Sequence, residues 1–200
     1  MLDHVFLAVI GALRKALEDG FLERHVLEER FQADILLGDL TWETSYSLPG
    51  EATPPRVRAD VGLDWPTWSQ SAYRSWSIGE SADDVPEVGI EIVLRVQRLA
   101  SEPEIDTILA VLPDQTPGVG QESLERASPT MERTYTPAGP GAVAIEVSYE
   151  GTYRFDDDVM EDITRLDSHF APLGGWVAST LVRLCDLKLP FLPPDPEENP

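Results

Sequence analysis

The chain has 200 residues, 42% of them hydrophobic and 26% charged, which suits one hydrophobic core and not a disordered segment. Its 36 acidic residues against 15 basic ones give a formal charge of -21, a field that disfavours nucleic acid and anionic membranes and attracts basic partners. Cys185 is the single cysteine, so no intrachain disulfide is possible, and no apolar run is long enough to span a bilayer.

The N-terminus lacks a secretion-signal pattern, since Asp3 interrupts its start and Arg14 and Lys15 follow the apolar stretch. A cytoplasmic protein with no membrane insertion is therefore expected. Residues 2–27 read as a helix, with Leu2, Val5, Phe6, Val9, Ile10, Leu13, Leu17, Phe21 and Leu22 at helical spacing and Gly20 as its weak point. The period then changes to two. Leu40, Trp42, Tyr46 and Leu48 alternate with Asp39, Thr41, Glu43, Ser45 and Ser47, which predicts a half-buried strand. Val57, Ala59, Val61 and Leu63 predict a second, and Val88, Ile90, Ile92, Leu94 and Val96 a third. Val143, Ile145, Val147 and Tyr149 predict a fourth, running on towards Phe155.

Alternating strands without crossover helices between them imply an antiparallel sheet with one covered face. The C-terminal third supplies the cover. Asp156, Asp157 and Asp158 mark a helix start ahead of Val159, Ile163 and Leu166. After Pro172 a second helix carries Leu173, Trp176, Val177, Thr180, Leu181 and Leu184 on one face. The expected fold is α+β: a four-stranded antiparallel sheet with C-terminal helices packed on it, plus an N-terminal helix. It forms a single domain over 1–195, divided into the N-terminal helix (1–27), the sheet with insertions (28–155) and the C-terminal helices (156–189). The stretch 190–200 reads as an acidic, proline-rich, disordered tail. Residues 65–80 hold Trp65, Trp68, Tyr73 and Trp76 as an extra hairpin or a loop with exposed aromatics. Residues 101–141 hold a short helix from Glu102 to Leu112 and then a Gly, Pro and Ser-rich connection.

The motifs of chemistry do not assemble. Zinc needs clustered Cys and His ligands, whereas His4, His25 and His169 stand apart and Cys185 is alone. No nucleophile elbow or phosphate loop appears, and acidic pairs are too numerous to single out two for acid–base work. A protein without catalytic activity, metal or cofactor is the expectation.

Several segments resemble the SecB export chaperones. Residues 81–96 (Ser-Ala-Asp-Asp-Val-Pro-Glu-Val-Gly-Ile-Glu-Ile-Val-Leu-Arg-Val) resemble the family's acidic turn and third strand. Residues 144–155 (Ala-Ile-Glu-Val-Ser-Tyr-Glu-Gly-Thr-Tyr-Arg-Phe) resemble its fourth strand. Phe170 to Trp176, through Leu189 to Pro194, resembles the last long helix and the Leu-Pro segment after it, and Asp39 to Glu43 resembles the first strand. Ala144 departs from the family's larger apolar residue, and Gly174 and Gly175 stand where an Arg-Glu pair is usual.

The resemblance implies a protomer that assembles as a homotetramer, a dimer of dimers. It implies holding unfolded client proteins in apolar grooves and handing them to the translocation ATPase SecA or to another basic protein partner. Asp39, Glu43 and Glu146 match the family's partner-binding acidic positions. Trp65, Trp68, Trp76, Phe170 and Trp176 are candidates for client-binding groove lining, although Trp176 also lies on a helix stripe that reads as core. Two alternatives stand beside this: an adaptor for one basic folded partner, and a carrier of a small apolar ligand.

Overall fold

Along each alternating segment one set of side chains is buried and the other is mostly half-buried or exposed, with Ser45, Ser47 and Ala144 as buried exceptions, and that asymmetry organises the molecule. The computed structural model describes residues 2–34, 36–51, 53–80, 84–136 and 139–193. In chain order its strands are β1 (Glu23–Arg24), β2 (Arg30–Ala33), β3 (Leu40–Ser47), β4 (Val57–Trp65), β5 (Glu87–Leu99), β6 (Glu125–Arg126), β7 (Thr130–Thr136) and β8 (Gly139–Arg154). The α-helices are α1 (Leu2–Asp19), α2 (Thr67–Ser77), α3 (Ile105–Leu109), α4 (Asp157–Glu161) and α5 (Leu166–Asp186). Residues 194–200 of the expected tail and 81–83 of the acidic turn lie outside the described residues.

The expected four-stranded sheet is corrected to an eight-stranded one, ordered β1-β3-β4-β5-β8-β6, with β2 also on β3 and β7 also on β8. Every pairing is antiparallel. The alternating segments are its central strands, β3-β4-β5-β8. The missed strands lie at the edges, where burial leaves little trace in the sequence. All of β2 is exposed, and β1 and β6 are each 2 residues long. Residues 101–141 are correspondingly not a mere connection, because β6 and β7 extend the sheet beyond β8.

Inward-facing Trp42, Tyr46, Val61, Leu63, Ile92, Leu94, Ile145 and Val147 meet Phe6, Ile10, Leu13 and Leu17 of α1 and Phe170, Leu173, Val177 and Leu181 of α5 in one core. Helix α5 starts at Leu166 and carries Pro172 within it, where a start after Pro172 was expected. The proline removes one backbone donor, yet burial of Leu166, Phe170 and Leu173 on both sides of it holds the helix together. Helix α1 ends at Asp19, short of the expected residue 27, and the chain turns back as β1 and β2 along the outer edge of β3.

The two long helices approach each other at backbone distance. A Cβ placed on Gly174 of α5 would lie 2.1 Å from the Ala16 carbonyl oxygen of α1. Only a residue without a side chain fits there, whereas a Cβ on neighbouring Gly175 would meet nothing within 4 Å. We therefore expect Gly174→Ala to destabilise the fold by about 1–3 kcal/mol through overpacking. Gly175→Ala is expected to be neutral, or stabilising by up to about 1 kcal/mol through helix propensity. Urea unfolding of the two variants checks the pair, and equal losses would contradict the close contact.

Candidate functional site: an acidic trough on the open sheet face

The face of the central sheet opposite the helices carries the polar residues of the alternation. Strand register aligns Glu43 of β3 with Gly62 of β4, Gly62 with Glu91 of β5, Glu91 with Glu150 of β8, and Glu150 with Glu125 of β6. A row of carboxylates thus crosses the strands, with a glycine in it. Because Gly62 and Gly89 contribute no side chains, the face is hollowed into an open trough of about 580 Å³ lined by Thr41, Glu43, Asp64, Glu91, Glu150 and Thr152 among others.

Arginines flank this row without entering it. Arg95 pairs with Glu146 and, at 2.8 Å, with Glu132. Arg58 pairs with Asp60 at 3.0 Å and Glu28 at 3.3 Å, and Arg154 with Glu87 at 3.2 Å. Glu43, Glu91 and Glu150 pair with no cation among the described residues. Partial burial, followed by the fields of Glu150, Glu43 and Glu146, holds the Glu91 carboxyl above its ordinary range. Burial and then Asp39 do the same for Asp64. Chemically, the trough is a cation-seeking surface with unspent negative charge.

The three acidic residues singled out in the sequence have different circumstances. Glu43 is exposed in the trough. Glu146 is half-buried against Arg95, so its charge is already countered. Asp39 braces α2: its Oδ1 accepts from the Thr67 backbone N–H at 2.7 Å and from the Thr67 hydroxyl at 2.9 Å. That carboxylate satisfies an otherwise orphaned donor in the first turn of the helix.

The aromatic candidates divide more sharply. Trp65, Phe170 and Trp176 are buried, and they cannot line a surface groove. Trp65 continues the inward parity of β4, stacks on Phe6 at 5.7 Å and donates its Nε1–H to Ser69 Oγ at 3.1 Å. Phe170 packs on Tyr153 at 5.2 Å, and Trp176 meets Tyr149 edge-on at 4.9 Å. Trp76 is half-buried beside Tyr73, while Trp68 is 47% exposed. Residues 65–80 are thus neither a hairpin nor a loop: they form the end of β4 followed by α2, whose buried Ser69, Gln70 and Ala72 attach it to the body.

Sequence reasoning passed over a second exposed apolar surface. Phe21, Val26, Leu27, Phe31, Leu36 and Leu37 are all exposed, and they follow the chain along the β1–β2 edge. Adjacent leucines at 36 and 37 just before Gly38 were the available signal, because a turn tip rarely needs two of them. Among the other polar groups, His25 Nε2 lies 2.9 Å from Ser47 Oγ, and His169 Nδ1 lies 2.8 Å from the Tyr153 hydroxyl. The lone Cys185 thiol is pushed up to about 11 by burial and by Glu51, which leaves it protonated and a poor nucleophile near neutral pH. Among the described residues no group of His, Cys, Asp and Glu is arranged to hold a metal ion, and no helix is long and apolar enough to cross a membrane. The chain matches no family model, no curated protein and no solved structure.

Two outcomes follow from the trough. The folded state retains the Glu91 proton to higher pH than the unfolded chain, so this residue's contribution to stability is greatest below the ordinary glutamate range. It is lost as pH rises through the elevated value. Glu91→Gln is therefore expected to raise the melting temperature at neutral pH, with an advantage over wild type that shrinks on acidification; thermal melts across the acid range check the sign. Asp39→Ala is expected to cost about 1 kcal/mol through the lost cap on α2, as measured by urea unfolding.

Proposed function

We propose that this chain is a non-catalytic polypeptide-binding protein of the SecB-like kind, working in the cytoplasm as a homotetramer. It holds unfolded or partly folded clients and passes them to SecA or another basic partner. The observation that carries the reading is the exposed apolar series from Phe21 to Leu37, joined by Trp68, on a molecule with a charge of -21. Such a surface stays soluble because of its charge, yet gains about 25 cal/mol for each Å² of apolar area that a client covers.

The acidic trough supports the hand-over half of the proposal. Glu43, Glu91 and Glu150 form an uncountered row, and a basic surface on a partner relieves the repulsion that, after partial burial, raises Glu91. The same trough favours the adaptor reading, in which one basic folded protein is the sole partner. The client test separates the two, since an adaptor protects no unrelated protein.

Substoichiometric to equimolar amounts of the chain are expected to suppress thermal aggregation of several unrelated proteins, and static light scattering is expected to give a tetramer mass. A monomer with no protective effect would end the chaperone proposal. Glu43→Lys combined with Glu150→Lys is expected to weaken binding of SecA or of another basic partner by at least roughly tenfold at low salt, read by titration calorimetry. Unaltered affinity would remove the trough from the hand-over step.

A further inference from the structure

The edge formed by β2 is unlike an ordinary protected edge. Native sheets blunt their edges with charge, proline or a covering element, because unpaired backbone groups template the addition of another strand. Here the whole of Arg30–Ala33 is exposed, with Phe31 standing half out of the core against Phe6 at 6.0 Å. The Asp34 backbone N–H donates to the Asp39 carbonyl at 2.8 Å. Hydrogen-bonded pairs recur at every second residue of an antiparallel ladder, so Gln32 opposite Thr41 and Arg30 opposite Glu43 hold β2 to β3. Phe31 and Ala33 consequently turn their backbone N–H and C=O groups outward.

The two sides of this edge differ in chemistry. Phe31 shares the helix-covered side with Trp42, and beyond the strand the turn raises Leu36 (94% exposed) and Leu37 into solvent. Hydrogen bonds fasten the described residues of that turn. Asp34 Oδ1 accepts from the Leu36 and Leu37 backbone N–H groups at 2.7 and 2.6 Å, Gly38 supplies a φ of 79°, and the Gln70 side chain donates to the Gly38 carbonyl at 2.9 Å. The leucines are therefore held out, with Trp68 exposed on the adjoining first turn of α2. On the opposite side a hollow lined by Gln32, Asp34, Asp39, Thr41 and Asp64, with Ala33 and Leu36 also on its wall, adjoins the same edge. None of its three carboxylates pairs with a cation among the described residues.

We propose that the outer edge of β2 takes up an extended segment of another polypeptide as an added strand, and that the segment it favours alternates apolar and basic side chains. Period two is dictated by the geometry. Successive residues of an added strand fall on opposite sides of the sheet, so one set meets Phe31 while the other meets Asp34, Asp39 and Asp64, beside Leu36. A second copy of this chain is the poorer occupant, because each copy brings the same acidic hollow and a charge of -21. The inference rests on the polypeptide-binding reading and gives it a seat and a sequence preference.

Fluorescence anisotropy with the full chain and three labelled peptides tests it: alternating Val and Lys, the same composition in two blocks, and alternating Val and Glu. The first is expected to bind at least roughly tenfold more tightly than either of the others. Ala33→Pro removes an outward N–H while sparing the ladder to β3, and is expected to weaken that binding about tenfold. Leu36→Ser with Leu37→Ser and, separately, Asp64→Asn alter only exposed side chains; each is expected to weaken it several-fold, the latter with a shallower salt dependence. Far-ultraviolet circular dichroism and melting temperature establish that each variant is folded.

Equal binding of the three peptides, or affinity undiminished in the folded variants, overturns the proposal. So does a wild-type dimer that Ala33→Pro converts to monomer, since the edge is then already filled by a second copy. Aggregation suppression that survives Ala33→Pro preserves the holding function but removes this edge as its seat. Alternating-peptide binding without aggregation suppression supports the edge and ends the chaperone reading.

Discussion

Burial of the large apolar side chains on one side of β3-β4-β5-β8 is the constraint on which the other features depend. Helices α1 and α5 close over that side and approach so tightly at Gly174 and Ala16 that no Cβ separates their backbones there. With both long helices committed to one face, the other face has no apolar cover and must be made of groups that water solvates well. The polar positions of the alternation are carboxylate-rich, and antiparallel register sets Glu91 beside Glu150 on neighbouring strands, with Glu43 one strand further on beyond Gly62. Like charges side by side destabilise a sheet. Partial burial first, and then that repulsion, holds the Glu91 carboxyl above its ordinary range.

The N-terminal edge is fastened by a different device. Five residues, 25–29, stand opposite Thr44 and Ser45, since Arg24 pairs with Tyr46 and Arg30 with Glu43. The surplus forms a single 3₁₀ turn, Val26–Glu28, and swings Glu29 inward. Glu29 accepts from Trp42 Nε1 at 2.8 Å and pairs with Arg14 of α1 and, at 3.3 Å, with Arg24. The Arg14 guanidinium lies 5.2 Å from the centre of the Trp42 ring. One glutamate thereby joins helix, edge strand and sheet, while Val26 and Leu27 are left outside on the turn. The apolar edge and the acidic trough thus have separate physical origins.

The sequence by itself determined the central strands, because each buries one face and so writes a period of two, and it determined the two long amphipathic helices for the corresponding reason. It determined the acidity of the open face as well, since Glu43 and Glu146 fall on the polar parity. Extending the β4 alternation from Leu63 by two more residues would also have placed Trp65 in the core, where it lies. Tertiary structure alone decided what had no periodic trace. Strands β1, β2 and β6 bury too little to pattern their residues, and the extent of α5 across Pro172 is set by burial that a local propensity does not contain. The roles of the carboxylates were likewise out of reach. Asp39 caps a helix that begins at Thr67, Glu146 meets Arg95 across 51 residues of sequence, and Glu91 acquires its like-charged neighbours only through strand register. A side chain's parity is local, but its partner is chosen by the fold.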